Sequence, residues 1–162
     1  MTGKTHASCG LLIGLCMTTY YKQDIFTSTT IITLAVIASI FPDICHTKSK
    51  IGNKIPIISF FVKLLFGHRT FTHSLLFVGL ISGGLIFIDA PIHYMLAIIF
   101  GVLSHILLDM LTHRGVQLWY PISKQVRLPI HFKTGGLVDA SFSTAFVLTS
   151  VYVVIQHFYD YI

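Results

Sequence analysis

The stretch IHYMLAIIFGVLSHILLDML, residues 92–111, decides how the rest of the chain reads. It is long enough to cross a bilayer core, which takes about 20 apolar residues in a helix. Yet it carries His105 and Asp109 near its end, four positions apart. That spacing puts both side chains on one helix face, a turn apart. Ionisable groups at membrane depth are expensive and mark a functional interior. The plainer reading is a His–Asp pair that only ties spans together, since polar contacts between spans are common.

Outward from this segment the chain repeats the apolar theme. Residues 6–21, 25–41, 74–88 and 141–158 are further apolar runs. The expected fold is therefore all-α, a polytopic membrane helical bundle of about five spans. Residues 55–66 are too short to cross and carry Lys63, so a short interfacial or re-entrant helix is expected there. Composition agrees: 54% of residues are apolar and 10% charged, against roughly 25% charged in a soluble domain. That excludes a soluble globular protein, and the apolar content excludes disorder. The 162 residues suit a single domain, 1–162. The first apolar run follows Lys4, but no convincing small-residue cleavage site precedes residues 20–24, so the segment is read as part of the mature chain.

Five spans sort the loops. One side holds residues 22–24, 89–91 and the C-terminus; the other holds the N-terminus and residues 43–73 and 112–139. The second side carries Lys4, Lys48, Lys50, Lys54, Lys63, Arg69, Arg114, Lys124, Arg127 and Lys133, whereas the first carries only Lys22. The positive-inside rule puts the basic side in the cytoplasm. Topology thus accounts for the net charge of +5, and no nucleic-acid partner is expected.

The same sorting gathers the potential ligands. His6, Asp43, His46, His68, His73, His113, His131 and Asp139 fall at span ends or in loops on the basic side, and His105 and Asp109 point towards it. Imidazoles and carboxylates converging from separate segments are what a metal site requires. Pro42 fixes a turn that aims Asp43 at the interface. In the run from His68 to His73, Thr72 is a candidate N-cap that puts His73 in a first helical turn. Arg69 offers a fork for phosphate or carboxylate. Taken singly, His6, His68 and Asp43 read as ordinary interface residues; their shared side is what gives them weight.

Nitrogen and carboxylate ligands suit zinc, with manganese or iron as alternatives. The surplus of ligands over the four that one zinc needs favours two ions sharing a carboxylate. Other chemistries find no motif. There is no GxxxxGK[ST], GxGxxG or GxSxG pattern, and Cys9, Cys16 and Cys45 form no CxxC pair. Cys45 remains a further candidate ligand, as do His113 and Asp139.

The order of blocks is distinctive. It runs His6 and Gly10, then Phe41-Pro42-Asp43, then His68-Arg69-x-x-Thr72-His73-Ser74. It continues with His105-x-x-Leu108-Asp109-x-Leu111-Thr112-x-x-Gly115 and ends at Tyr120-Pro121. This pattern, over about residues 1–139, resembles the YdjM-like family, described as LexA-binding, inner-membrane-associated, metal-dependent hydrolases. The family is distantly similar to the zinc-dependent phospholipase C and P1 nuclease group, helical enzymes with an H-x-x-x-D zinc motif. The resemblance implies His6, Asp43, His68, His73, His105 and Asp109 as metal ligands. It also departs from the family pattern: Cys45 stands where a second Asp is common, and Asp139 where Glu is common.

The function expected from the sequence is a membrane-bound, metal-dependent hydrolase at the cytoplasmic membrane face. One or two divalent ions, zinc first, would serve a phosphoester of a lipid or lipid-linked substrate. Asp43 and Asp109 would act on the attacking water and Arg69 on the phosphate. The alternative is a non-catalytic membrane protein that binds or senses metal. Transport would want ionisable groups through the whole bilayer depth, and here they gather at one end. A structural adaptor whose His and Asp only glue helices is a third possibility.

Overall fold

Small residues at four-residue intervals set how the helices meet. The computed structural model describes residues 1–45, 57, 64 and 69–159. These include α1 (Gly3–Tyr21), α2 (Ile25–Ile40), α3 (Leu75–Phe87), α4 (Ile92–Met110) and α5 (Leu137–Tyr159). Single 3-10 turns occupy Phe41–Cys45 and Phe71–His73. On α1 the ladder is His6, Gly10, Gly14; on α4 it is Ala97, Gly101, His105, Asp109. Both ladders press on α2. A Cβ on Gly10 would lie 2.8 Å from the Ala35 carbonyl oxygen, and one on Gly101 would lie 2.7 Å from the same atom. A Cβ on Gly14 would meet Ile32 Cα at 2.6 Å. Small residues let helix backbones approach closely where lipid removes the hydrophobic drive for association.

Around these contacts lie two apolar clusters. Met17, Ile31, Ala35 and Ala97 form one, and Ala38, Val102, Ile106 and Val116 the other. Helix α5 lies along α1, and α3 touches α4 more lightly. Asp24 starts α2 by accepting from the backbone N–H of Phe26 and Thr27 at 2.9 and 3.1 Å. Hydrogen bonding from the Thr27 side chain, then from backbone N–H groups, holds the Asp24 carboxyl below its ordinary value.

Among the described residues, three helices are long and apolar enough to cross a membrane: Ile25–Ile44, Ile92–Met110 and Leu137–His157. Leu75–Phe87 is a shorter apolar helix. These match three of the five expected spans; α1 and α3 occupy the other two stretches as helices. Helix α5 begins at Leu137, earlier than position 141, because Asp139 is accommodated in its first turn, where a carboxylate meets the positive end of the helix dipole. The expected interfacial helix at 55–66 lies outside the described residues, apart from Ile57 and Leu64, which are exposed.

One expected cap is corrected. The helix after His73 is capped by Ser74, whose hydroxyl accepts from Phe77 N at 3.2 Å. Thr72 is instead buried with its hydroxyl 3.0 Å from His73 Nδ1, so it cannot serve the helix end.

The segment between α4 and α5 folds back over the site. Leu128 N and Phe132 N donate to the carbonyls of Met110 and Leu111 at 2.9 and 2.8 Å, satisfying the open end of α4. Gln117 N donates to Arg69 O at 3.1 Å and Leu75 N to Leu118 O at 3.0 Å, which stitch residues 69–75 to the same segment. Gly115 makes the turn possible: its φ is 65°, and a Cβ there would meet Val126 O at 2.5 Å. No strand forms among the described residues; Thr112–Phe132 and Val116–Val126 are isolated bridges.

Candidate metal centre

Close approach of α1, α2 and α4 brings their polar ends together. His6 from α1 stacks on His105 from α4, with ring centroids 3.8 Å apart and planes at 17°. The turn after α2 supplies Asp43, and the Phe71–His73 turn supplies His73. His6, His73, His105 and Asp109 are fully buried, and Asp43 is partly exposed.

Asp43, His73, His105 and Asp109 each offer a ligand atom within 4.8 Å of all the others. His73 Nε2 and His105 Nε2 lie 3.1 Å apart. Asp109 Oδ2 is 3.4 Å from His73 Nε2 and 3.7 Å from His105 Nε2. Asp43 Oδ1 is 3.9 and 3.8 Å from the same two nitrogens. Tetrahedral zinc with bonds of about 2.0–2.1 Å holds its ligand atoms roughly 3.4 Å apart, which these separations bracket.

The protonation logic also fits a cation. His105 Nδ1 lies 2.7 Å from the Ser39 carbonyl, to which it donates. In the neutral ring this leaves the Nε2 lone pair facing His73, as metal-binding imidazoles are commonly oriented by a partner on their other nitrogen. Asp109 Oδ2, His6 Nδ1 and His6 Nε2 are buried with no hydrogen-bond partner. Buried polar atoms are almost always satisfied. Asp109 also sits in the last turn of α4, at the negative end of the helix dipole. A buried carboxylate there needs positive charge around it. Arg69 Nη2 supplies some at 3.1 Å from Oδ2, and the Met1 amine contacts Oδ1. The residues present therefore suit a divalent ion.

The sequence model of the family described as YdjM inner membrane protein matches residues 1–160. The chain belongs to the YdjM family. It is 37% identical over 156 residues to the uncharacterized protein YvsG of Bacillus subtilis (strain 168), covering 94% of this chain and 93% of YvsG. It is 40% identical over 105 residues to the inner membrane protein YdjM of Escherichia coli (strain K12), and likewise to that of Shigella flexneri. Those matches cover 62% of this chain and 54% of the relatives. No solved structure matches the chain with significance.

In this YdjM-family chain the expected ligands separate into groups. Asp43, His73, His105 and Asp109 come together. His6 lies at their edge, its Nε2 3.3 Å from Asp109 Oδ1. His68 and the Cys45 side chain lie outside the described residues. His113 is exposed and paired edge-on with His131 at 4.7 Å. Asp139 is buried in a separate network. Its carboxylate accepts from Thr2 N at 3.0 Å, Gly135 N at 2.7 Å and the Thr5 hydroxyl. Thr112, whose hydroxyl bridges Arg69 and the Asp109 carbonyl at 2.7 Å each, and the Ser39 carbonyl were not legible as site groups. The only sequence signal for Thr112 is its place three residues after Asp109.

Proposed function

We propose that this chain is a membrane-embedded, metal-dependent hydrolase acting on a phosphoester of a lipid or lipid-linked substrate. The observation that carries this reading is the four-residue set Asp43, His73, His105 and Asp109, drawn from three elements around a carboxylate oxygen that is ion-paired to Arg69 but accepts no hydrogen bond. These four residues would hold a first ion, zinc by their chemistry. His6 Nε2 and Asp109 Oδ1 would hold a second. Such ions supply charge stabilisation for a phosphoryl group and an activated water.

The protein's own groups divide the remaining work. Asp43, with its side chain 17% exposed, stands at the rim, where it can orient a water and take its proton. His105, fixed by Ser39, and His73, held beside Thr72, keep the cluster rigid. The basic residues that the sequence sorts to the side of the cluster support a centre at the cytoplasmic face, and the names of the two YdjM relatives support the inner membrane. In this reading α1 and α3 also cross, making one five-span unit of the whole chain. The likeness to the zinc-dependent phospholipase C and P1 nuclease group rests on the all-helical fold and on His105-x-x-x-Asp109.

Purified protein in detergent should carry stoichiometric divalent metal and cleave a short-chain phosphatidic acid or bis(p-nitrophenyl) phosphate. His105→Ala and Asp109→Ala should remove both metal and turnover while helical content is kept. Protein that is metal-free and cannot be loaded would overturn the reading. Stoichiometric metal without turnover on either substrate would leave a metal-binding protein and remove the hydrolase.

A further inference from the structure

Arg69 stands in a backbone conformation that its side chain makes costly. Its φ is 62°, in the left-handed region that a bulky residue rarely adopts and glycine adopts freely. The conformation is pinned by the Gln117 N–H, which donates to the Arg69 carbonyl at 3.1 Å. Strain of this kind persists only where surrounding interactions over-determine it, and it gathers at functional sites. The relevant question is what the guanidinium does there that a glycine could not.

The side chain is only 11% exposed, and both Nη atoms are engaged by the protein. Nη2 lies 3.1 Å from Asp109 Oδ2. Nη1 donates to the Thr112 hydroxyl at 2.7 Å. That hydroxyl donates in turn to the Asp109 main-chain carbonyl at 2.7 Å. The guanidinium thus grips the side chain of Asp109 directly and its backbone through Thr112. A fork committed in this way is not a free clamp for a phosphate.

We infer that Arg69 is a positioning residue, which fixes the rotation of the Asp109 carboxylate so that Oδ2 faces His73 and His105 while Oδ1 faces His6 and the Met1 amine. The inference rests on the metal-centre reading proposed above. A carboxylate given a quarter-turn about its Cβ–Cγ bond would carry both oxygens out of the plane they now share with these partners and spoil both sets of distances. The planar, permanently charged fork of arginine suits this task, where the ammonium of lysine offers charge without the plane. It also opposes the negative end of α4 without entering the cluster as a ligand.

Cobalt(II) binding to the purified protein tests this, read by the visible absorption of the bound ion and by competition with a chelator. Arg69→Gly relieves the backbone and deletes the fork. It should weaken binding about 10–100-fold, as loss of a partner that orients a ligand does, and should shift the spectrum. Arg69→Lys should recover part of the affinity but not the wild-type spectrum. If Arg69→Gly does not fold, Thr112→Val keeps the charge and the turn, and should shift the spectrum in the same direction with a smaller loss of affinity. Wild-type affinity and spectrum in Arg69→Gly, or in Thr112→Val where that variant must stand in, would overturn the inference. Wild-type protein that binds no cobalt would remove the metal centre and this role with it.

Discussion

Asp109 and Asp139 show how two buried aspartates in one chain take different parts. Both are nearly inaccessible to solvent. Asp139 accepts hydrogen bonds from Thr2, Thr5 and Gly135, all neutral donors. Asp109 Oδ2 accepts none and is ringed by imidazole and guanidinium nitrogens. The first environment suits a structural clamp, and the second suits the metal ligand proposed above. Asp139→Ala should therefore lower stability by about 1–3 kcal/mol, because buried donors lose their acceptor, while the metal content is the same as that of the unaltered protein. Thermal melting in detergent paired with metal analysis checks this. Loss of the metal with stability unchanged would make Asp139 a ligand after all.

At the level of elements, the glycines matter as much as the histidines. His6 and His105 stack because Gly10, Gly14 and Gly101 let α1 and α4 reach the backbone of α2. Adding a methyl group at position 101 sets it 2.7 Å from Ala35 O and 2.8 Å from Ala38 Cβ, so a helix must move. Gly101→Ala should destabilise the protein by about 1–3 kcal/mol, as overpacking does, and should also weaken metal binding, though it touches no ligand. Gly83→Ala on α3, where a Cβ meets nothing within 4 Å, is the matched control and should leave metal binding unchanged. Equal effects at both positions would mean that helix propensity, and not interhelical distance, governs the site.

For the whole molecule the issue is which way the bundle sits. The centre lies where α2 and α4 end and where residues 69–75 and 112–132 close over them. Arg69, Arg114, Lys124 and Arg127 lie within those closing segments. Cysteines placed at Ala90 and Ser123, in a chain whose own Cys9, Cys16 and Cys45 are replaced, should label from opposite sides of the membrane. A membrane-impermeant maleimide added to intact cells should reach position 90 alone, and position 123 only after permeabilisation. Labelling of position 123 alone from outside would invert the placement of the centre, and labelling of both from outside would overturn the five-span arrangement.

Much of this molecule follows from local sequence. Apolar runs of bilayer length imply helices wherever they occur, because lipid leaves the backbone no other partner. The i, i+4 spacing of His105 and Asp109 places them on one face in any helix. Family membership was likewise legible in ordered blocks such as Phe41-Pro42-Asp43 and Thr72-His73-Ser74. Tertiary structure decided which of the many candidate ligands share a cluster. His113 and Asp139 looked as eligible as His73, but separation in sequence says nothing about distance in space. The Thr112–Phe132 bridge draws His113 towards His131, and Thr2 and Thr5 take up Asp139. The role of Arg69 was hidden for the same reason. Its left-handed backbone and its grip on Thr112 arise only when three distant segments close on one another, and no local pattern records that closure.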